Sequence, residues 1–531
     1  MFCVKGKVDE LSKIVSAVFT IMFLLSLLSV NKCQTVAGAA PQFVTVDDNG
    51  VANYTRIQEA INKVPSGSTI FVRNGTYNEN VVVNKTVTLI GENMEGAIVD
   101  SLKFGTVINV TAGNVSISNF TVRNSGLDEI DSGIRLEMST GNTIARNRIV
   151  GNTIGVSLFS SSNNAVQDND VVSSGLHGIY LYSSDTSTIS NNNVSSKSYG
   201  ISLYSSNNDM ISNNTVQSST YVGINLYSSV NNVFTSNTIM SSNFAGMVFY
   251  SNNNTFYHNN FINSTNQFSI QSGQNVWDNG AEGNYWSNYT RQDSNQDGIG
   301  DVHYSVGDGD QDNYPLMGTY SSFIATFRGK PYQVATISNA TVSTFSFKVG
   351  AETGNRIISF NVLRRSGNVT FCRITIPNEL MKYPYIVVVN DDEASPALLS
   401  FSNETFSYLY LTCQYPSQAV TIVYSDTQHI YDELNTTYQA IRADLDALGV
   451  YYQALLDIYS SLLGNYSTLR ESYDALNASY NEHLSNYLEQ MQNFQNLMYI
   501  FACATAIFLV MTVYLSKHAH ERSEVNPAVS K

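Results

Sequence analysis

Charge is scarce in this 531-residue chain: Asp, Glu, Lys and Arg make up 13 % of it, about half the usual share for a soluble globular protein. Basic residues are the scarcer kind, 28 against 43 acidic ones, for a net charge of −15. That balance argues against nucleic acid as a partner, because holding a phosphate backbone needs a basic face. Cysteine is rare too. Cys3 and Cys33 lie in or beside an N-terminal apolar segment and Cys503 in a C-terminal one, which leaves Cys372 and Cys413 for the body. Those two either form one disulfide or remain two buried thiols; sequence does not give their separation. With no C-x-x-C spacing, a structural zinc site is not expected. In place of charge stand Asn, Ser, Thr and 33 Tyr, and the 43 % apolar content excludes a disordered chain. A polar, uncharged, Tyr-rich chain fits an extracellular surface, and its length allows two or three domains with accessory segments.

Both ends support export. Lys5, Lys7 and Lys13 precede an apolar run from Ile14 to Val30, and Ala37-Gly38-Ala39 follows it. This pattern predicts a signal peptide over 1–39, or alternatively an uncleaved anchor. Near the other end, 497–515 is uncharged and long enough to cross ~30 Å of hydrocarbon. Lys517, Arg522 and Lys531 come after it, as expected of a short cytoplasmic tail over 516–531. The expected protein is a single-pass surface protein with its body outside. About 17 N-x-S/T sequons, Asn74, Asn193, Asn368 and Asn465 among them, are compatible with glycosylation.

Between the ends the sequence repeats itself. Gly133, Gly155, Gly178, Gly200, Gly223 and Gly246 open six copies of roughly G-I-x-L-Y-S-S-x-N-N-x-I-x-x-N-x-I, spaced 22 or 23 residues apart. Asn147, Asn169, Asn192, Asn214 and Asn237 stand fourteen residues after the Gly, and Asn259 comes one residue early in the sixth copy. A leucine-rich repeat has this length but needs a helix-forming half, which these Ser-, Asn- and β-branched-rich copies lack. Short alternating strands with polar turns instead predict a mainly β fold, one parallel coil per copy rising ~4.8 Å, with equivalent Asn bonded in ladders. This is a right-handed parallel β-helix. Ser68–Val72, Thr86–Ile90 and Val115–Val122 extend it, so that it runs from about Phe43 to about Tyr289 within a 40–318 domain.

The opening stretches Ile57-Gln58-Glu59-Ala60-Ile61, Gly67-Ser68-Thr69-Ile70, Gly75-Thr76-Tyr77 and Val87-Thr88-Leu89-Ile90-Gly91 resemble those of pectin-lyase-like β-helices. With the Gly-Ile/Asn-Asn repeats and Gly283-Asn284-Tyr285-Trp286-Ser287, residues 43–317 are similar to the NosD-like group of archaeal surface proteins. The resemblance implies the fold. For activity it implies little, since such solenoids serve lyases, hydrolases, adhesins and assembly proteins alike.

Candidate chemistry is thin. A glycosidase needs two carboxylates flanking a bond, yet from Gly155 to Val276 the only acids are Asp168, Asp170, Asp185 and Asp209. Asp168 and Asp170 follow Arg146 and Arg148 by one coil, which predicts ion pairs along the stack. The weak catalytic candidates are Asp128, Glu129, Asp131, Arg135 and Glu137: acids and a base fit a calcium-assisted lyase, but equally an acidic solvent loop. Copper, implied by the family name, is not supported, because His177 and His258 lack paired ligand spacing. Asp293, Asn295, Asp297, Ile299 (through its carbonyl) and Asp301 follow the 1-3-5-7-9 pattern of a calcium loop with Gly298 at the sharp turn. Tyr304 replaces the usual Glu at position 12, and Asp308, Asp310 and Asp312 offer themselves to complete the shell; the alternative is a metal-free turn. Phe159, Tyr182, Tyr204, Tyr227 and Tyr250 predict an aromatic strip ~20 Å long, either a sugar-binding surface or a purely structural stack.

From Thr319 the repeat gives way to about seven short strand-like runs, predicting an immunoglobulin-like sandwich over 319–427. Then Leu434, Ile441, Leu448, Leu455, Leu462, Leu469 and Leu476 recur every seven residues, with Tyr438, Leu445 and then Tyr452 to Tyr487 four behind them. This is the a/d pattern of a coiled-coil stalk over 428–496 and of a homo-oligomer, unless the helix folds back at Gly464-Asn465. Taken together these readings give an anchored surface protein that binds glycans or neighbouring surface proteins. The rivals are a polysaccharide lyase or hydrolase using Asp128–Glu137, and a structural envelope subunit.

Overall fold

The computed structural model describes residues 40–523 apart from 218, 352, 364–369, 414–416 and 426, so the expected signal peptide and the last residues of the expected tail lie outside the described residues. The chain divides into two compact units, one running to Ser425 and one beginning at Asp426.

The first unit opens with a parallel β-helix of the right-handed type. Three parallel sheets of ten, nine and ten strands run along it. The first sheet extends from Phe43–Val46 to Thr255–Tyr257, the second from Val81–Val83 to Asn266–Gln271, and the third from Gly75–Asn78 to Tyr285–Trp286. Alternation explains the inside. In Gly178-Ile179-Tyr180-Leu181-Tyr182, Ile179 and Leu181 are buried, as are their counterparts Val156, Leu158, Ile201, Leu203, Ile224 and Leu226. The short helix Ile57–Lys63 packs Ile57, Ala60 and Ile61 into the same core, its first N–H groups held by the buried carboxylate of Glu79.

The expected Asn ladder is present. The backbone N–H of Asn147 donates to Asn169 Oδ1 at 3.0 Å, and the pattern continues through Asn192, Asn214, Asn237 and Asn259 to Asn284. The residue before each rung from Asn147 to Asn259 is left-handed: φ is +54° at Arg146, +57° at Asp168, +56° at Asn191 and +54° at Asn213. Asn and Asp tolerate that region best, which accounts for several of the Asn-Asn doublets. Two further ladders were not anticipated. One links Asn142, Asn164, Ser187, Asp209, Asn232, Asn254 and Asn275. The other links Ser139, Ser161, Ser184, Ser206, Ser229 and Ser251.

The sixth copy corrects the repeat phase. Gly246 pairs with Ile224, so Ala245, not Gly246, is the counterpart of Gly223. Asn259 then falls fourteen residues after its own copy's start and is no longer early. Gly246 is needed for a different reason: a Cβ there would lie 2.1 Å from the Phe268 ring, which fills the space an Ile would take. The expected ion pairs of Arg146 and Arg148 are also corrected. Arg148 and Asp170 are register partners, but Asp170 accepts from Asn193 Nδ2 at 2.8 Å, and among the described residues no ion pair joins either Arg to either Asp.

Beyond a short hairpin, Tyr304–Gly307 with Asp310–Asp312, the unit ends in two five-stranded antiparallel sheets around one core that includes Val334, Ile358, Phe360, Ile374, Leu409 and Ile422. The seven expected strands are there, and Thr319–Phe327, Asp392–Ala394 and Ala397–Leu398 are additional. All three lie at sheet edges, where one-sided pairing leaves a weaker apolar pattern. Cys372 is buried in this core; the side chain of Cys413 lies outside the described residues.

The second unit is one helix, Thr427–Ser523, of 97 residues. It continues through Gly449 and Gly464, so no hairpin forms at Gly464-Asn465. It is long and apolar enough, in its C-terminal part, to cross a membrane. The heptad Leu and Tyr side chains stand open in the single chain: Leu462, Tyr466, Leu469 and Tyr473 are 61–68 % exposed.

Candidate functional site

The outward face of the second sheet carries the aromatic residues. Phe159, Tyr182, Tyr204 and Tyr227 occupy one register column. Their rings stack nearly parallel, with centroids 4.9, 5.3 and 4.7 Å apart and interplanar angles of 5, 11 and 6°. The coil rise and the ring-stacking distance coincide, so every ring inside the column has both faces covered. The Arg135 guanidinium, 4.5 Å from the ring centroid, covers the outer face of Phe159. What the strip presents is ring edges and phenol hydroxyls. Tyr250 is not in this column. Phe249 holds the register position beside Tyr227, while Tyr250, at φ +52°, stands edge-on to Tyr227 at 5.5 Å and 77°.

A second aromatic group widens the strip. His177 stacks on Tyr180 at 4.5 Å and on Tyr199 at 4.9 Å, with Nδ1 2.9 Å from Ser202 Oγ. Burial lowers the His177 pKa to about 4, so the ring is neutral, and burial raises Tyr180 to about 12. The repeat gives no sign of this group, because its positions vary between copies: Arg135, Ser157, Ser202 and Asn225 stand where Tyr180 does, and Ser132, Ile154 and Val222 where His177 and Tyr199 do.

At the N-terminal end of the strip, Arg135 pairs with Glu137 at 3.5 Å, and Asn109 Nδ2 donates to Glu137 at 3.2 Å. Glu137 is in register with Phe159. The remaining weak candidates do not join them. Asp131 is buried, its carboxylate accepting the Asp128 N–H at 3.2 Å, while Asp128 and Glu129 are exposed. Both better-placed carboxylates are therefore engaged, Asp131 by backbone and Glu137 by Arg135.

The C-terminal end of the solenoid is closed by acids. Asp312 Oδ2 accepts the Asn284 N–H at 2.8 Å and Trp286 Nε1 at 2.9 Å. Asp310 accepts the Asn275 N–H, and its Oδ2 takes Trp277 Nε1 at 2.9 Å. Burial pushes Asp312 up to about 7 against the pull of these donors. Asp310 and Asp312, expected beside the calcium loop, thus end the two Asn ladders. In the loop itself, Asp293 accepts the N–H groups of Asp297 and Gly298 at 3.0 and 2.9 Å, and Asn295 turns its Nδ2 toward Asp297. Among the described residues no three His, Cys, Asp or Glu side chains gather as a metal shell. Copper does not fit this donor set: His177 is stacked away on the second sheet, and His258 is 4.0 Å from the Tyr320 ring with Nε2 2.6 Å from Glu282.

That Glu282 belongs to a joint sequence gave no hint of. Its other oxygen pairs with Arg373, which is 1 % exposed, sends Nη1 to the Asp297 carbonyl, and lies over Phe401 and Tyr408. Burial works to raise the Glu282 pKa, but His258 and Arg373 outweigh it and hold it at about 2. Solenoid end, acidic loop and sheet domain thus meet on one buried ion pair.

Residues 45–291 match the family described as periplasmic copper-binding protein (NosD). The chain is 34 % identical over 134 residues to a cell surface glycoprotein of Methanothermus fervidus, covering 25 % of this chain and 21 % of that protein, so it spans about a fifth of the relative's length. Among solved structures it is similar to an alginate lyase from a Paenibacillus species (14 % identity, TM-score 0.31, covering 46 % of this chain and 97 % of that one). It is also similar to the full-length tailspike protein 2 of an Escherichia coli O157:H7 bacteriophage (12 % identity, TM-score 0.30, covering 67 % and 66 %).

Proposed function

With a NosD-like parallel β-helix protein as the premise, we propose that this chain is a membrane-anchored surface protein whose solenoid binds carbohydrate along the outer face of its second sheet. The observation that carries the reading is the column Phe159–Tyr182–Tyr204–Tyr227, flanked by Tyr180 and ending at the Arg135–Glu137 pair. Ring edges and hydroxyls at one-coil intervals suit the hydroxyls and C–H groups of an extended glycan. The relation to a cell surface glycoprotein supports the location, and the apolar end of the long helix supports the anchor. The two-sheet domain serves as an immunoglobulin-like spacer, and the helix before its apolar end as a coiled-coil stalk that joins copies of the chain. The Asp293–Asp301 loop takes calcium in a structural role.

A glycan array with the full-length protein in detergent, read for both binding and turnover, tests this. Binding without turnover supports the proposal. Turnover abolished by Arg135→Ala and Glu137→Gln would favour a lyase or hydrolase instead. Neither binding nor turnover would favour the second reading, a structural envelope subunit, which the covered ring faces also support.

A further inference from the structure

The helix Thr427–Ser523 carries one departure from its own pattern. Position d is Leu or Ile from Leu434 to Leu476 and Leu again at Leu497, but the two heptads in between place His483 and Gln490 there. Position a stays aromatic across the break, with Tyr480, Tyr487 and Phe494. In the single chain Tyr480 and Tyr487 are 63 and 61 % exposed, and His483 is open as well. A strict seven-residue period is matched only by a helix of the same period, and an anchor at one end gives every copy the same direction. Between Tyr451 and Leu463 the apolar stripe also takes in the flanking positions Tyr451, Leu456, Ile458 and Leu463, all exposed. The occupant these features fit is a second copy of this chain, side by side and parallel.

We propose that His483 and Gln490 form a polar layer that fixes the register of this self-association and releases it in acid. The inference rests on the stalk reading above and adds to it a register and a regulation. In register, each imidazole meets imidazoles and each amide meets amides. A neutral imidazole has one donor and one acceptor, so the layer satisfies itself. A slip of one heptad sets His483 against Leu476 on one side and Gln490 on the other, leaving polar groups buried without partners. A single polar core position is known to specify register in this way, at some cost in stability. Acid reverses the balance. Histidine is the side chain whose charge changes between about pH 5 and 8, and imidazolium groups from two or more copies would be brought together. The flanking positions Asn477, Ser479, Leu484, Asn486, Met491 and Asn493 offer no carboxylate, and the nearest acids, Glu482 and Glu489, sit at c, away from the seam. Tyr480 and Tyr487 are the other titratable groups facing the layer.

Sedimentation of the full-length protein in detergent at pH 7.5 and 5.5, at one ionic strength, tests this against His483→Leu. The expected result is an oligomer at pH 7.5 whose dissociation constant rises about tenfold or more at pH 5.5, while His483→Leu is oligomeric at both. Mixing Leu469→Cys with Leu476→Cys chains should give cross-links only between like chains, and mixed ones should appear when His483→Leu is added. Monomers at pH 7.5 for both proteins would remove the stalk reading itself. A wild-type oligomer indifferent to pH, or a pH response that persists in His483→Leu, would overturn the polar layer and leave the self-association standing.

Discussion

Asp209 should make the solenoid less stable as pH rises. It is a carboxylate inside a ladder built, up to its end at Asp310, of Asn and Ser: the Ser187 N–H donates to its Oδ1 at 2.7 Å, and its own N–H donates to Asn232 at 2.8 Å. Its residue is 1 % exposed, and among the described residues its Oδ2 has no hydrogen-bond partner. In the neighbouring rungs the corresponding atom is an amide nitrogen, donating from Asn232 to the Ser206 carbonyl and from Asn254 to the Ser229 carbonyl, both at 3.0 Å. A protonated carboxyl can imitate that amide, whereas a carboxylate cannot. Burial accordingly raises the Asp209 pKa to about 8, the Ser187 N–H pulling down and Asp185 adding to the rise. The unfolded chain holds the group near its ordinary value of 3.8. The folded state therefore keeps a proton the unfolded state gives up, so stability is complete below about pH 4 and is lost as pH climbs toward 8. Each unit in that window costs up to ~1.4 kcal/mol. From pH 5 to pH 8 the loss is at most about 4 kcal/mol, on the order of 5–10 °C in melting temperature for a domain of this size.

Asp209→Asn restores the amide and removes only this contribution. The melting temperature of the variant minus that of the wild type should be close to zero near pH 4 and several degrees at pH 8. Taking the difference cancels groups that titrate in both proteins, Asp312 included. A difference that is the same at pH 5 and pH 8 would refute the assignment of a proton to this rung.

Three further outcomes are expected. Tyr204→Ser with Tyr227→Ser should lower stability by roughly 1–3 kcal/mol, as two stacked contacts and the edge-on contact to Tyr250 are lost; a variant with unchanged melting but no glycan binding would show that the column serves recognition alone. Millimolar calcium should raise the melting temperature by mass action, an effect lost on chelation and in Asp297→Ala; superimposable curves with and without calcium would return the loop to an ordinary turn. Glu282→Gln should cost about 3–5 kcal/mol, because Arg373 is then left charged and buried without its counterion, and proteolysis between solenoid and sheet domain should speed up; an unaltered cleavage rate would count against a joint held by this pair.

Legibility in the sequence followed how literally a feature repeats. The Asn147–Asn259 part of the ladder could be read because the same residue recurs at nearly constant spacing; its last rung, Asn284, lies 25 residues further on and could not. The ladder through Asn164, Ser187 and Asp209 could not, since three side chains do one job and only the hydrogen-bond register equates them. The phase error at Gly246 has a related cause: in five copies the Gly leaves space for a Val or Ile side chain and the next coil's backbone, and in the sixth it makes room for Phe268, two roles with one letter. Sequence spacing therefore puts Tyr250 in the strip, where the register has Phe249. The candidate site was half visible, because the aromatic column follows from period-two alternation, whereas the covering of its ring faces depends on side-chain packing. The Arg373–Glu282 joint brings together residues 91 apart in sequence, beyond the reach of any local pattern.

The acid at the end of each Asn ladder has a consequence for how such a chain can change over generations. Every residue of a ladder can pass on its backbone N–H, as Asp209 does to Asn232, but an Asn of the Asn147 ladder also offers its Nδ2 to the next rung, so its side chain demands a successor. A carboxylate accepts and demands nothing further through its side chain. Asp310 and Asp312 therefore act as full stops, each backed by an indole. Whole copies of 22 or 23 residues can be duplicated or deleted upstream while the terminus keeps the same sequence and the same contacts. Length becomes a quantity that gene duplication can tune in steps of one coil, and with it the reach of whatever surface the second sheet displays.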